Sequence, residues 1–441
     1  MKPSNVRVMK SFLNYDRSWA YRSMLLVTVC AVVLGVWARL YHIGFPPKIM
    51  WDEKYFPTMA EKFLRGMYQF DLHPPLGKFI LAVGISFFGN EPLGWRIMPL
   101  LFGLALLPLA AALGWYLFKD RVAAMLLTTF FAVETIFIVH SRVGVMDIFL
   151  VFFVLATFLA ALRAETGRQV IWPSLLLGLA IAVKWAAFPV AIPAGYVLWR
   201  KGLLRQFLAG LWVSAVVYIA VVYVGALITI TTNPIEAWVW TWDWHVKAAA
   251  KITVAVDHPW GSPWWSWPIM LRPIRFFYGA NAEGLLQVVV AIGNPLIRWS
   301  STIAELAGVF DIARKAIARK LSADDPIIPI VLGYFFLLAP WMPGTRIPYI
   351  YNYLPMYPFA ILALVYWLCR VWNNQRWGPW VVVGFAVCAV ALTVFFLPMV
   401  IALPISQEDL MHRVWTDYWL YEQNPVPGSG CLRPNPGPLC G

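Results

Sequence analysis

The sequence has 441 residues, of which 61% are hydrophobic and only 13% are charged, and this composition excludes a soluble globular protein of the ordinary kind. The formal net charge of +13 could indicate a nucleic-acid partner, but the basic residues lie in short clusters between apolar runs. That distribution is typical of polytopic membrane proteins, so we expect the lipid bilayer as a partner and no nucleic acid.

Eleven apolar runs are candidates for membrane-spanning helices. In chain order they cover residues 23–40, 96–118, 122–139, 148–162, 170–183, 186–199, 207–230, 285–297, 327–341, 351–369 and 380–402. We therefore predict an all-α polytopic membrane domain over residues 1–403 and a tail over residues 404–441. The fifth and sixth runs are short and could form one tilted helix, but we prefer two spans that turn near Lys184 and Trp185, because the later basic loops then stay on one side.

Charge asymmetry predicts the orientation of these spans. Basic residues cluster on the side of the basic N-terminus, at 119–122, 163–168, 200–205 and 314–320. The positive-inside rule places that side in the cytoplasm and leaves the first outer loop (41–95), an aromatic outer loop (231–283) and the tail outside. We expect a multi-pass protein of the plasma membrane with its N-terminus in the cytoplasm and its C-terminus outside.

The first outer loop contains two segments that we expect to form juxtamembrane helices. Residues 54–65 alternate charged and apolar side chains at helical spacing, and residues 76–89 form an apolar run that is too short to cross comfortably. Helices of a soluble loop can show the same amphipathic pattern.

Two cysteines, Cys431 and Cys440, bracket a Pro/Gly-rich stretch of the tail. They could close a small disulfide loop if the tail faces an oxidising compartment, or they could remain free thiols. The sequence leaves both alternatives open.

Polar clusters lie beside span ends on the outer side. They read WDE at 51–53, DLHPPLGK at 71–78, HSRVGVMD at 140–147 and PGTRIPYIYNY at 343–353, and the aromatic loop adds HPWGSPWWSWP at 258–268. Ionisable groups at membrane depth usually face a cavity or one another, so these clusters predict one outward-facing pocket. Carboxylates, cations and tryptophan faces together fit sugar transfer from a lipid phosphate, in which a carboxylate accepts the proton of the attacking hydroxyl and cations stabilise the departing phosphate.

In their order along the chain these motifs resemble the protein O-mannosyltransferase family. The resemblance rests on WDE, HPPLGK, SRVGVMD, the KW pair at 184–185, HPWGSPWWSWP, GNP at 293–295 and RIPYIYNYLPMYP at 346–358. It implies an inverting membrane glycosyltransferase of the C-type (GT-C) fold with about eleven transmembrane helices. Such an enzyme would move mannose from a polyprenyl-phosphate donor to Ser/Thr hydroxyls of secreted or membrane proteins on the outer face.

The resemblance also implies roles for individual residues. Asp52 corresponds to the family's catalytic carboxylate, a general base, and Glu53 would position the acceptor or the base. We expect the donor phosphate to lie near His73, Lys78, Arg142 and Arg346. We expect the sugar or acceptor pocket to include Asp147, Trp260, Trp264, Trp267, Tyr349 and Asn352.

Two features depart from the family pattern. Asn352 stands where the family commonly has the His of a Tyr-His-Tyr motif, and the loop that carries a large soluble sugar-binding insert in eukaryotic members is short here. Both leave the acceptor open, so the same donor chemistry with a lipid or glycan acceptor is one alternative. A polytopic transporter is a second, although transporters bind near the bilayer midplane and the polar clusters here lie at the outer span ends.

The candidate residues also have ordinary structural interpretations. Asp52 and Glu53 could be solvated loop charges, and Arg142 could pair with Asp147. Arg346 could anchor a span end at the interface, and most of the tryptophans could form an aromatic belt. His and carboxylate groups on one side make a divalent metal conceivable, but no metal-ligand spacing is present, so we expect no required cofactor.

Overall fold

A computed structural model describes residues 3–252, 260–343, 348–374, 376–416 and 418–419. This part of the chain is mostly helical, and its α-helices are α1 (Pro3–Leu40), α2 (Phe56–Leu64), α3 (Leu76–Phe88), α4 (Pro92–Phe118), α5 (Arg121–Val133), α6 (Thr135–His140), α7 (Asp147–Arg163), α8 (Ile171–Val183), α9 (Ala191–Arg200), α10 (Leu204–Thr229), α11 (Pro234–Ile252), α12 (Pro295–Ile317), α13 (Ile327–Leu338), α14 (Tyr357–Asn374), α15 (Gly378–Phe396), α16 (Pro398–Ile401) and α17 (Gln407–His412). Short 3₁₀ turns at Trp51–Lys54, Trp185–Val190 and Ile350–Tyr353 interrupt this helical framework.

Four helical segments in the described ranges are long and apolar enough to cross a membrane. They are Arg17–Leu40, Pro92–Phe118, Leu204–Thr229 and Gly378–Phe396, and shorter apolar helices accompany them. Large apolar side chains such as Trp212 of α10, which is 77% exposed, remain on the outside of the bundle. An apolar outer surface is what a lipid environment requires, so the architecture is that of a polytopic membrane protein. The count of eleven spans stays a prediction.

The chain reverses at Lys184, as the preferred sequence interpretation predicts. Lys184 pairs with Asp147 at the start of α7, with 2.7 Å between the Lys184 Nζ and Asp147 Oδ1 atoms. After α9, the Lys201 ammonium donates to the carbonyls of Leu162 and Ala164 at the opposite end of α7, at 2.6 and 2.9 Å. Helices α8 and α9 therefore run in opposite directions along α7, and a single tilted helix over this region is wrong.

The eighth predicted span, residues 285–297, is wrong, because a two-stranded hairpin lies here within the otherwise helical fold. Strand β1 (Ile274–Ala280) pairs antiparallel with β2 (Leu286–Ala291), and the spanning-length helix here is α12, which begins only at Pro295. A short apolar run of β-branched residues fits a buried strand as well as a helix. The apolar pattern does not predict α12 as a span, because Arg298, Glu305 and Asp311 lower its hydropathy.

Both helices predicted in the first outer loop are present, as α2 and α3. Helix α3 packs closely on α4, because Gly84 faces the carbonyl oxygen of Gly94, and a Cβ atom at Gly84 would clash with that oxygen. This contact fixes the loop to the first long helix after it. A location of α2 and α3 at the membrane surface stays a prediction.

Candidate active site

Asp52 lies in a short 3₁₀ turn that aromatic rings hold in place. Trp51, directly before it, stacks on Phe276 of strand β1 with 5.9 Å between ring centroids, and Tyr349 approaches Trp51 edge-on at 6.1 Å. The hydroxyl of Tyr351 donates to Asp52 Oδ2 at 3.2 Å. The fold thus brings the first outer loop, the β-hairpin and the turn before α14 together around one half-buried carboxyl.

Burial and charge shift the acidity of Asp52. Burial raises the pKa of Asp52 to about 6, and the nearby Asp147 carboxylate acts in the same direction. The Lys184 ammonium and the hydrogen bond from Tyr351 oppose this rise. The carboxyl is therefore still mainly ionised at neutral pH, and it is a stronger base than a solvated aspartate.

A second charged pair lies beside Asp52. Lys184, between α8 and the following 3₁₀ turn, pairs with Asp147, and their side chains are only 8% and 6% exposed. The Lys184 Nζ atom also lies 5.6 Å from the centroid of the Tyr351 ring. Asp52, Tyr351, Lys184 and Asp147 therefore form one cluster, hereafter the acidic–basic cluster.

Glu53 points into a different environment from its neighbour. Its oxygens accept from Arg96 at 2.8 and 2.9 Å, and from the backbone amides of Met50 and Gly144, each at 2.8 Å. Neither the Glu53 nor the Arg96 side chain is exposed. Because both oxygens are committed to these donors, the structure gives Glu53 a role in holding the loop rather than in taking a proton.

Arg142 occupies the carboxyl end of α1. Its guanidinium donates to the carbonyls of Ala38 and Arg39 at 2.8 and 3.0 Å, where the last helical carbonyls need partners. Pairing between Arg142 and Asp147 is therefore wrong, since Asp147 pairs with Lys184. These hydrogen bonds hold the guanidinium at the end of α1, which argues against the expected contact of Arg142 with a donor phosphate.

The DLHPPLGK motif builds a second polar group that lines a cleft. Lys78 Nζ donates to Asp71 Oδ2 at 2.6 Å and to the carbonyl oxygen of His73 at 2.7 Å. Burial alone would raise the pKa of Asp71, but the Lys78 ammonium and its hydrogen bond lower it to about 2. Burial lowers the pKa of His73 to about 4, so the imidazole is neutral at physiological pH and offers no positive charge to a phosphate.

The cleft lies between the first outer loop and helices α10 and α11. One wall is polar, from Tyr68, Gln69, Asp71, His73 and Lys78, and the other wall is mostly apolar. A polar wall facing an apolar one suits a ligand with both kinds of surface.

Two sequence profiles match the chain almost end to end. The profile described as dolichyl-phosphate-mannose-protein mannosyltransferase matches residues 29–95 and 91–241, and that of the C-terminal four-transmembrane region of protein-O-mannosyltransferase matches residues 236–419. The chain belongs to the protein O-mannosyltransferase family. It is therefore a membrane glycosyltransferase of the GT-C fold.

Relatives of known name agree with this placement. The chain is 23% identical to a polyprenol-phosphate-mannose–protein mannosyltransferase of Mycolicibacterium smegmatis, over 92% of this chain and 94% of the relative. It is 24% identical to the protein of the same name from Mycobacterium tuberculosis, over 91% and 92%. The solved structure of the S. cerevisiae protein O-mannosyltransferase Pmt1–Pmt2 complex bound to the sugar donor matches with a TM-score of 0.79 at 15% identity, over 92% of this chain and 94% of that chain.

The tryptophans expected to line the pocket of this protein O-mannosyltransferase differ in placement. Trp267 has no exposed surface, and its indole N–H donates to Ser262. The prediction that Trp267 contacts a sugar is therefore wrong. Trp260 is 7% exposed and lies under the Arg275 guanidinium, while Trp264 is partly buried against the core. Packing therefore accounts for Trp267 and leaves Trp260 and Trp264 as candidates.

The turn before α14 holds the remaining candidates. Tyr349 stacks on Tyr351 with 5.2 Å between ring centroids, and the backbone N–H of Asn352 donates to the Tyr349 carbonyl in the same turn. Arg346, Cys431 and Cys440 lie outside the described residues. In the described ranges no three His, Cys, Asp or Glu side chains gather into a group that could hold a metal ion, and independence from metal stays a prediction.

Sequence reasoning missed two members of the acidic–basic cluster of this glycosyltransferase. The sequence places Lys184 at a turn between two spans and in the KW pair, and Tyr351 in an aromatic motif, but it assigns neither residue to the site. A lysine between two short apolar runs was the available signal, because an ionisable group at membrane depth needs a partner. Its partner, Asp147, lies 37 residues away in sequence, and only the fold shows that the two side chains meet.

Proposed function

We propose that this chain transfers mannose from a polyprenyl-phosphate donor to Ser/Thr hydroxyls of a protein acceptor, with inversion at the sugar carbon. The donor and the protein acceptor are those for which its relatives are named. The observation that carries the mechanism is a half-buried aspartate with a pKa of about 6 beside a buried Lys184–Asp147 pair. The names of the relatives also favour a protein acceptor over a lipid or glycan.

Asp52 acts as general base in this proposal. Its carboxylate takes the proton from the acceptor hydroxyl as the oxygen attacks the anomeric carbon of mannose. The bond between that carbon and the phosphate oxygen breaks, and its electron pair leaves with the phosphate. A single displacement inverts the configuration, and a phosphate leaving group needs little help from a second, acidic carboxyl.

Lys184 stabilises the departing phosphate in this proposal. Its ammonium is the cation that lies with Tyr351 and Asp147 beside Asp52. A fixed cation in a site that excludes water stabilises developing negative charge far better than one in bulk solvent. Tyr351 keeps Asp52 oriented, and Glu53 holds the turn through Arg96.

The site faces the outside of the plasma membrane in this proposal, with the N-terminus in the cytoplasm. The acidic–basic cluster lies at one end of α7, whereas Glu165, Lys201, Arg200 and Asp324 pair at the other end. The second end carries the predicted cytoplasmic basic loops, so the positive-inside rule supports the orientation.

The test uses purified protein in lipid discs with labelled polyprenyl-phosphate-mannose and a Ser/Thr-rich peptide. We compare the wild type with Asp52→Asn and with the control Asp324→Asn, which alters an exposed carboxylate at the far end. Label on the peptide from the wild type and the control, but not from Asp52→Asn, is the expected result. Equal labelling of the peptide by Asp52→Asn would refute the role of Asp52 as general base. Label on lipid or glycan but never on peptide would refute the proposal that the acceptor is a protein.

A further inference from the structure

Lys184 lies where the helical backbone is broken. Helix α8 ends at Val183, and Lys184 itself adopts an extended conformation (φ −151°, ψ 138°) before the 3₁₀ turn that begins at Trp185. A side chain on irregular backbone is not fixed by a helical ladder, so neighbouring side chains must hold it. The contacts of Trp185 therefore bear on where the Lys184 ammonium can lie.

Trp185 begins a chain of hydrogen bonds that ends on helix α11. Its indole N–H donates to the Tyr218 hydroxyl at 2.8 Å, and the Tyr218 oxygen lies 2.7 Å from His245 Nε2. His245 Nδ1 lies 2.6 Å from the carbonyl oxygen of Thr241 one turn earlier. The chain thus links the Lys184 turn, α10 and α11.

The direction of every hydrogen bond in this chain follows from its ends. An indole N–H can only donate and a carbonyl can only accept, so a neutral His245 carries its proton on Nδ1 and accepts on Nε2. Tyr218 then accepts from Trp185 and donates to His245. In this arrangement every donor of the chain meets one acceptor, and a fully satisfied polar network of this kind holds its members in a defined geometry.

Ring packing supports the same link. Trp185 and His245 lie nearly parallel, with 6.3 Å between centroids, and Trp244 meets Trp185 edge-on at 5.8 Å. Trp244 is 4% exposed, and its indole N–H donates to the carbonyl oxygen of Asp71 at 3.1 Å. Helix α11 therefore contacts both the Lys184 turn and the loop that lines the cleft.

We infer that Trp185, Tyr218 and His245 are positioning residues that hold the Lys184 ammonium at the acidic–basic cluster from helix α11. This inference rests on the proposed function, in which Lys184 stabilises the departing phosphate. The three side chains do not touch the reacting atoms. They act by restricting the backbone turn from which Lys184 reaches Asp147.

The experiment replaces Tyr218 with Phe, which removes one hydroxyl from the middle of the chain and keeps the ring. The matched control is Tyr223→Phe on the same helix, whose hydroxyl bonds the Pro234 carbonyl away from Lys184. Losing one buried hydrogen bond corresponds to about a three- to tenfold effect. We expect kcat for mannose transfer to fall by that factor in Tyr218→Phe, with the KM for the peptide unchanged and the control unaffected.

Two further variants separate positioning from general stability. His245→Gln offers an amide oxygen that can accept from Tyr218, whereas His245→Leu cannot, so we expect His245→Gln to retain more activity. In a Lys184→Met background, Tyr218→Phe should cause no further loss, because the group it positions is gone. An equal, additive loss in that background would overturn the inference.

A readout that needs no transfer activity distinguishes failure of this inference from failure of the proposed function. Lys184 is buried, so an amine-reactive reagent quantified by mass spectrometry should label it slowly in the wild type and about three- to tenfold faster in Tyr218→Phe. Equal labelling of Lys184 in Tyr218→Phe and Tyr223→Phe overturns the positioning role, whatever the enzyme transfers. A wild type that transfers no mannose, with the labelling difference present, refutes the proposed function alone.

Discussion

The adjacent carboxylates Asp52 and Glu53 should respond in opposite ways to loss of charge. Glu53 accepts two hydrogen bonds from Arg96 and one each from the amides of Met50 and Gly144, and it has no exposed surface. Glu53→Gln removes the charge and places an NH₂ group where donors already point. Asp52 is half-buried and accepts from the neutral Tyr351 hydroxyl.

The magnitude follows from these contacts. Removing one partner of a buried, hydrogen-bonded ion pair leaves the other charge uncompensated and costs about 3–5 kcal/mol in the free energy of unfolding. Asp52 differs because burial raises its pKa, which means that the folded protein disfavours its charge. A neutral Asn at position 52 should therefore leave the stability unchanged or slightly higher while it removes the base. General-base loss lowers turnover by about 10²–10⁴-fold.

The assay is unfolding of the purified protein in mixed micelles, titrated with SDS and followed by tryptophan fluorescence, alongside mannose transfer. The control is Glu61→Gln on α2. This change breaks a surface ion pair with Arg65 and should lower the free energy of unfolding by at most about 0.5 kcal/mol. If Glu53→Gln unfolds at the same SDS concentration as the wild type yet loses transfer as completely as Asp52→Asn, Glu53 takes part in the chemistry and our reasoning is wrong.

Three further predictions concern the site. The value of kcat/KM should fall below about pH 6, as Asp52 becomes protonated. The Tyr351 hydrogen bond favours the carboxylate, so Tyr351→Phe should move this acid limb of the pH profile up by about one pH unit. An acid limb that does not move would contradict the role of Tyr351. Lys184→Met should lower kcat by about 10²–10³-fold in single-turnover measurements, with Lys184→Arg intermediate, and equal rates for the two variants would argue against a phosphate contact. His73→Gln should keep the shape of the pH profile because neutral His73 does not titrate in this range, whereas loss of the acid limb would assign that limb to His73.

The sequence predicts local features of this fold well. Helices α2 and α3 lie almost where amphipathic and apolar spacing place them, and the turn at Lys184 is where basic loops require a reversal. These features depend on residues close together in the chain, or on a charge rule that acts loop by loop. The location of Asp52 next to a span end is of the same kind.

The pairings inside the site could not be predicted in this way. Asp52 and Tyr351 are 299 residues apart, and nothing in either segment indicates the other. Arg142 and Asp147 are close in sequence and opposite in charge, so they looked like partners, but α1 offers free carbonyls to Arg142 and the α8 turn offers Lys184 to Asp147. The span predicted over residues 285–297 is wrong for a different reason, because the apolar composition of β2 fits a buried strand as well as a helix.

The placement of the Lys184–Asp147 pair at two helix ends supports the phosphate contact that we propose for Lys184. Asp147 is the first residue of α7, where the positive end of the helix dipole stabilises a carboxylate, and Lys184 follows the last residue of α8, where the negative end stabilises a cation. Each charge thus has support besides its partner. When the phosphate of the proposed reaction draws the ammonium away, Asp147 keeps the support of α7, so the exchange costs less than breaking an isolated buried pair.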